Sequence, residues 1–376
     1  MTHTAMNSLL KLLKTKKVVQ SRLPKDYRTL LRTPHRTCAS FITIEGGQMW
    51  YHGIKQCLQH YFSDVKPSLE SLWIDISMDG LSLHRSGPTQ LWPILMRLCE
   101  VQEAPIFVVA IFCGSSKPQN AEQYLRQFVT EINELQSNGI VLQGVTHQVK
   151  LRAIIADSPA RALIKGVVSF NGCHGCLKCT DIPVHDTATK RMYFAGVGIE
   201  KRTDAKFRAQ EYPQHCKKPT PLIDILYFDI IADVIIADRL HLIDLGVMRK
   251  LLNGWIKGKF TKGPHHTKWT SRQCDIISEF LLHIKLPSEI HRSPRSLQYI
   301  KFWKGTEFRT FLHYASVVVL KEILPETAYN HFLLLFCATT FLSTTVILEP
   351  FMDLAEFQAT FIIFSMFTTK LPDSDH

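Results

Sequence analysis

The sharpest periodic signal lies between residues 67 and 157. In SLWIDISMDG, apolar Leu72, Ile74, Ile76 and Met78 alternate with Trp73, Asp75 and Ser77, the two-residue period of a strand. Gly80 turns the chain, and LSLHRS reads as a second strand. APIFVVAIFCG is a continuous apolar run rich in Val and Ile, as in a central strand. From Pro118 to Leu135 the spacing becomes helical, with Ala121, Tyr124, Leu125, Phe128, Ile132 and Leu135 on one face and Gly139 as the stop. Strands over 140–146 and 149–156 follow. Ser158-Pro159 then opens a helix, with Ser158 as N-cap and Pro159 at the first helical position.

The predicted order is strand, strand, strand, helix, strand, helix. It points to an α/β fold with a mixed, ribonuclease-H-like sheet, although other α/β folds share parts of that order. Residues 1–66 read as a basic N-terminal arm and 67–169 as the first part of the core. Residues 170–300 read as a basic insertion that carries a CxxC and becomes helical after residue 223. Residues 301–376 read as a late helical part of the core. Phe332 to Leu348 is uncharged, but its 17 residues fall short of the roughly 20 a membrane helix needs. Its five Ser and Thr residues favour a buried helix, so no membrane partner is expected.

Charge narrows the partners. The 376 residues carry a net charge of +11, and it comes in blocks. Residues 1–40 hold nine Lys and Arg against the single acid Asp26, and residues 249–272 hold seven with no acid. Blocks of one sign suit a polyanion such as nucleic acid. Ten cysteines, three of them clustered at 173, 176 and 179, suit metal ligation in a reducing compartment better than a disulfide framework. The N-terminus lacks the apolar core of a signal peptide. A phosphate loop, a dinucleotide-binding glycine motif and a G-x-S-x-G nucleophile elbow are all missing.

Asp79 closes the first strand and Asp157 the fourth. If those strands are neighbours, both carboxylates reach one carboxyl edge, where ligands of open α/β sheets bind. Paired carboxylates repel until a hard cation such as Mg²⁺ or Mn²⁺ neutralises them. Strand-end Asp is also ordinary turn and cap chemistry. The parity of Asp75 sends it to the other face, with Trp73 and Ser77. Cys176 and Cys179 supply half of a tetrahedral Zn²⁺ site. The other half would come from among His174, His215, Cys216, His241, His265, His266, His283 and His291. Asp238 and His241 stand at helical i, i+3 spacing. Glu307 follows Trp303 by four on a late helix, where a third carboxylate or an ordinary surface Glu would both fit.

Six blocks in order carry a resemblance: LPKDYRTLLRTP, SMDGLSLHRSGPTQLWPILMRL, GSSKPQNAEQYLRQFVTEINEL, GCLKCT, DRLHLIDLGVMRKLL and FWKGTEFRTFLHYASVVVLK. Together they resemble the CACTA-type (En/Spm) DNA transposases found in animal genomes, over about residues 5–350. The resemblance implies a DDE/D transposase core on a ribonuclease-H-like fold with a helical insertion. Its catalytic acids fall on Asp79, Asp157 and Glu307, which would hold two Mg²⁺ or Mn²⁺ ions. Its CxxC falls on Cys176 and Cys179, anchoring a structural Zn²⁺, and its [C/D]xxH motif on Asp238 and His241, with His241 near the scissile phosphate or bracing two helices. DNA is the implied partner, a homo-oligomer the implied state and the nucleus the implied location. The chain ends at His376, earlier than such transposases usually do. Two expectations follow: a metal-dependent enzyme of DNA transposition, or a decayed or domesticated remnant that binds DNA without cutting it.

Overall fold

A computed structural model describes residues 3–15, 23–24, 26–30, 41–67, 69–84, 87–101, 103–186, 191–194, 196, 198–236, 238–260 and 265–343. The protein is α/β, and the described residues form a mixed nine-stranded sheet and eleven α-helices. Residues 344–376, and with them the end of the uncharged stretch, lie outside the described residues. Among those described, no helix is long and apolar enough to cross a membrane.

Contacts divide the chain at Thr43/Ile44. The first unit contains helices α1 (His3–Thr15) and α2 (Tyr27–Leu30) and most of strand β1 (Phe41–Ile44). The Asn7 side chain joins its helices, accepting the Tyr27 N–H at 2.8 Å.

In the second unit, β2 (Gly47–Tyr51) and α3 (Ile54–Tyr61) precede β3 (Ser71–Met78), β4 (Leu81–Ser82), β5 (Gln90–Leu98) and β6 (Phe107–Gly114). Helix α4 (Ala121–Asn138) leads to β7 (Ile140–Leu142), β8 (Val145–Ala156) and α5 (Ser158–Ile164). A small hairpin, β9 (Val184–Asp186) with β10 (Arg191–Tyr193), and α6 (Asp204–Arg208) come before β11 (Val234–Ile235). Strands β2, β6, β5 and β3 pair antiparallel in that order, and β8 and β11 continue parallel to β3.

Sequence reasoning located β3, β6, α4 and β8 but missed β5. The second strand expected in LSLHRS shrinks to Leu81–Ser82, and the long partner of β3 is the run around Pro93. Proline interrupts a strand pattern, and the β5–β6 register slips just beyond it, between Ile94 and Leu95. Residues 44–66, placed in the arm by sequence, contribute β2 and α3, whose Met49, Ile54, Leu58 and Phe62 sit in the sheet core.

Helix α4 packs its apolar stripe into that core. Asn120 caps it by accepting the Gln123 N–H, and Gly139, at φ 70°, ends it. Residues 207–234, expected in the insertion, also enter the sheet core. A second core is built mainly from helices. After a wide π-helical segment, Leu240–Met248, it gathers α7 (Arg249–Lys257), α8 (Ser271–His283), α9 (Gly305–Thr310), α10 (Ser316–Lys321) and α11 (Glu326–Phe341). Trp255 stacks on Trp269 at its centre, and it crosses the expected 300/301 boundary without a break.

Candidate active site at the carboxyl edge

Parallel pairing decides where the acids fall. Met78 pairs with Ala156 at the ends of β3 and β8, so Asp79 and Asp157 leave the sheet side by side. Val234 and Ile235 pair with Ile154 and Ile155, so the chain beyond β11 emerges at the same edge with Asp238 and His241.

Local chemistry fixes each residue. Asp79 Oδ1 accepts the Gly80 N–H at 2.7 Å. Gly80 lies against Trp92, and a Cβ there would come within 2.6 Å of the indole ring. Asp157 is the N-cap of α5, with Oδ1 accepting the Ala160 N–H at 2.8 Å. This corrects the expected cap. Ser158 is the first helical residue, and its hydroxyl accepts from Arg161 instead.

Arg161 went unnoticed in the sequence, although it lies one helical turn from Asp157. It is buried, and its Nη1 donates to the carbonyls of Ala156 and Ile235, stapling the ends of β8 and β11. The same atom is 4.0 Å from the Asp238 carboxylate.

Asp238 Oδ1 accepts the His241 N–H at 2.9 Å and faces His241 Nδ1 at 3.0 Å. A carboxylate there fixes the ring proton on Nδ1 and leaves Nε2 with its lone pair. The segment that follows is π-helical rather than the expected α-helix.

Three carboxylates thus share one edge with the Arg161 guanidinium. The carboxyl pKa of Asp79 is raised, first by partial burial although the residue as a whole is exposed. The nearby charges of Asp157 and Asp238 add to this, against the Gly80 amide and His241. Burial lowers the pKa of Arg161, while Asp238 and Asp157 pull it back up. An edge with surplus negative charge in a chain of net charge +11 suits a hard divalent cation and oxygen ligands. The acids do not form a finished cage. Among the described residues, no three His, Cys, Asp or Glu side chains are close enough to hold an ion by themselves.

Glu307, expected as the third metal carboxylate, is engaged by Arg295 and a backbone amide. It is fully buried in α9. Oε1 and Oε2 accept Nε and Nη2 of Arg295, both at 2.8 Å, and Oε2 also accepts the Lys304 N–H at 2.8 Å. Burial would raise its pKa, but Arg295 and the backbone amides outweigh that and hold it below the usual range. Asp244, overlooked in the sequence, is a second fully buried acid, 3.1 Å from Arg309 Nε and 3.8 Å from Arg239 Nε.

The Cys176 and Cys179 sulfurs face each other at 3.3 Å, and Arg202 Nε holds the Cys176 carbonyl. His215 lies in the same region, with Nδ1 2.7 Å from the His174 carbonyl and a buried Nε2 that has no partner. Burial pushes its pKa down to about 4. Other zinc candidates lie elsewhere: His265 bonds His331 in the helical core, and His241 belongs to the carboxyl edge. Two donors do not complete a structural zinc site.

No family model matches the chain, and no curated protein matches it.

Proposed function

We propose that the chain is a transposase-type or transposase-derived protein of the nucleus that acts on DNA by divalent-metal-dependent phosphodiester cleavage at this edge. One observation carries the reading: the parallel register of β3, β8 and β11 delivers Asp79, Asp157 and Asp238 to a common edge. The connectivity supports a ribonuclease-H-like core. Three antiparallel strands (β3, β5, β6) are followed by helix, strand, helix and a further strand parallel to the first. The six sequence blocks support the CACTA-type assignment.

In this reading Asp79 and Asp157 hold Mg²⁺ or Mn²⁺, and Asp238 serves His241 beside them. A bound divalent ion supplies Lewis acidity toward the phosphodiester. His241 Nε2, oriented through Asp238, stands ready to take a proton from the attacking water or hydroxyl. Zinc has no part in the proposal.

The test is nicking of supercoiled plasmid by the purified chain with Mg²⁺ or Mn²⁺. Nicking is expected to vanish in Asp79→Asn and in Asp157→Asn; equal nicking by parent and variants sinks the proposal. A second reading, a remnant that binds DNA without cutting it, is favoured by one observation: Glu307 is locked to Arg295. That reading predicts salt-sensitive DNA binding with no cleavage under any metal.

A further inference from the structure

A concave surface lies beside the helical core. It is a cleft of about 600 Å³ lined by Arg292, Arg295, Lys301, Phe302, Trp303, Lys304 and Glu307, with Ser293. All four cations are exposed. Glu307 is the only acid in the lining, and its carboxylate is fully buried and consumed by Arg295 and the Lys304 amide. The cleft therefore presents positive charge to solvent and hides its one negative charge beneath.

The ion pair also positions a donor. Arg295 is clamped to Glu307 through Nε and Nη2, and Nη2 reaches the Phe302 carbonyl as well. Those bonds leave Nη1 uncommitted on a side chain that is 44% exposed. Phe302 is exposed beside it, with Lys301 Nζ 4.6 Å from its ring centroid. Trp303 in the same wall has a buried Nε1 donor with no acceptor. A fixed guanidinium, exposed lysines and an exposed aromatic ring are the parts that grip a sugar-phosphate backbone and stack on a base.

The cleft also adjoins the acidic edge. Gly305, next to Lys304, is packed so tightly on Leu240 that a Cβ would lie 2.2 Å from Leu240 Cδ1, and Leu240 precedes His241.

We infer that this cleft binds the phosphate backbone of the nucleic acid whose phosphodiester the carboxyl edge receives, and that Glu307 is a positioning residue for Arg295. The assignment rests on the proposed function for its choice of DNA over another polyanion.

The experiment uses the full chain and a fluorescently labelled DNA duplex of arbitrary sequence. Anisotropy is read across a potassium chloride series for the parent and for Arg292→Ala/Lys301→Ala/Lys304→Ala. The slope of log K against log salt is expected to become shallower by about 2 to 3, near one per lost phosphate contact. Affinity at low salt is expected to fall at least about tenfold. An unchanged slope and affinity in a triple variant with the parent's circular dichroism overturns the cleft assignment alone. Should that variant fail to fold, Lys301→Gln/Lys304→Gln is held to the same criterion, with a slope change of about 1 to 2. Polyglutamate displacing the duplex as well as unlabelled DNA of equal charge would also overturn it, in favour of an acidic protein. A parent that binds no duplex at any salt overturns this assignment and the DNA reading together.

Discussion

The carboxyl edge and the Arg295–Glu307 cleft are built from the same residue types to opposite effect. At the edge, Asp79, Asp157 and Asp238 crowd together with one buried arginine between them, and the Asp79 carboxyl resists ionisation. In the cleft one carboxylate has a two-pronged arginine and a backbone amide to itself, and it ionises more readily than usual. The first arrangement needs a cation from outside, whereas the second is complete. Strand β3 and the residue after it repeat the contrast: Asp75 is bound by Arg97 and Arg152 and has a lowered pKa despite its burial, while Asp79 is not so paired. A carboxylate that suits a metal is recognised by the lack of a cationic partner in the fold, which residue type and spacing do not reveal.

The largest expected effect comes from breaking the completed pair. Glu307→Ala removes a buried carboxylate that accepts from both Arg295 and the Lys304 amide, and it is expected to lower stability by chemical denaturation more than any variant at the edge. Asp79→Asn removes like-charge crowding and is expected to leave stability equal or slightly higher while abolishing nicking. A comparable destabilisation in both variants would erase the distinction between the two sites.

Acid separates them again. The folded-state pKa of Glu307 is depressed, so its contribution is present above its unfolded value of 4.5 and is lost as pH falls through the folded value. Asp79 runs the other way. Its raised pKa makes the folded state bind a proton more tightly, so its cost grows as pH rises from 3.8 through the folded value. Thermal melts from pH 3 to 7 are expected to show Glu307→Gln losing most at the upper end and Asp79→Asn gaining there.

Two smaller effects divide structure from chemistry at the edge. Asp157→Asn keeps an oxygen to cap α5, whereas Asp157→Ala loses the cap, at about 0.5–2 kcal/mol. Both variants should abolish nicking, but only the alanine variant should melt lower. Asp238→Asn is expected to reduce nicking about 10- to 100-fold, the range for an orienting partner of a histidine. Nicking rates equal to the parent's would confine the Asp238–His241 pair to bracing.

Much of the core was legible because its signals are local. Alternation gave β3, a helical stripe gave α4, and strand ends gave Asp79 and Asp157. Strand β5 was hidden by Pro93, and β11 is only two residues long, so neither carries a usable period. Asp157 and Ser158 are both good cap residues in adjacent positions, and only geometry chooses between them. The ion pair of Glu307 was hidden for a different reason. Its partner Arg295 lies twelve residues earlier, on the far side of the 3-10 helix Leu297–Phe302, and no helical or strand spacing links them. Arg161 and Asp244 act through contacts with distant strands and helices, which a linear pattern does not encode.

The most direct test of this contrast is a Mn²⁺ titration of the full chain read by electron paramagnetic resonance. The parent and Glu307→Gln are expected to bind the ion alike, while Asp79→Asn/Asp157→Asn binds none above background. Loss of Mn²⁺ binding in a folded Glu307→Gln, with the double variant still binding, would place the metal in the cleft and contradict the account.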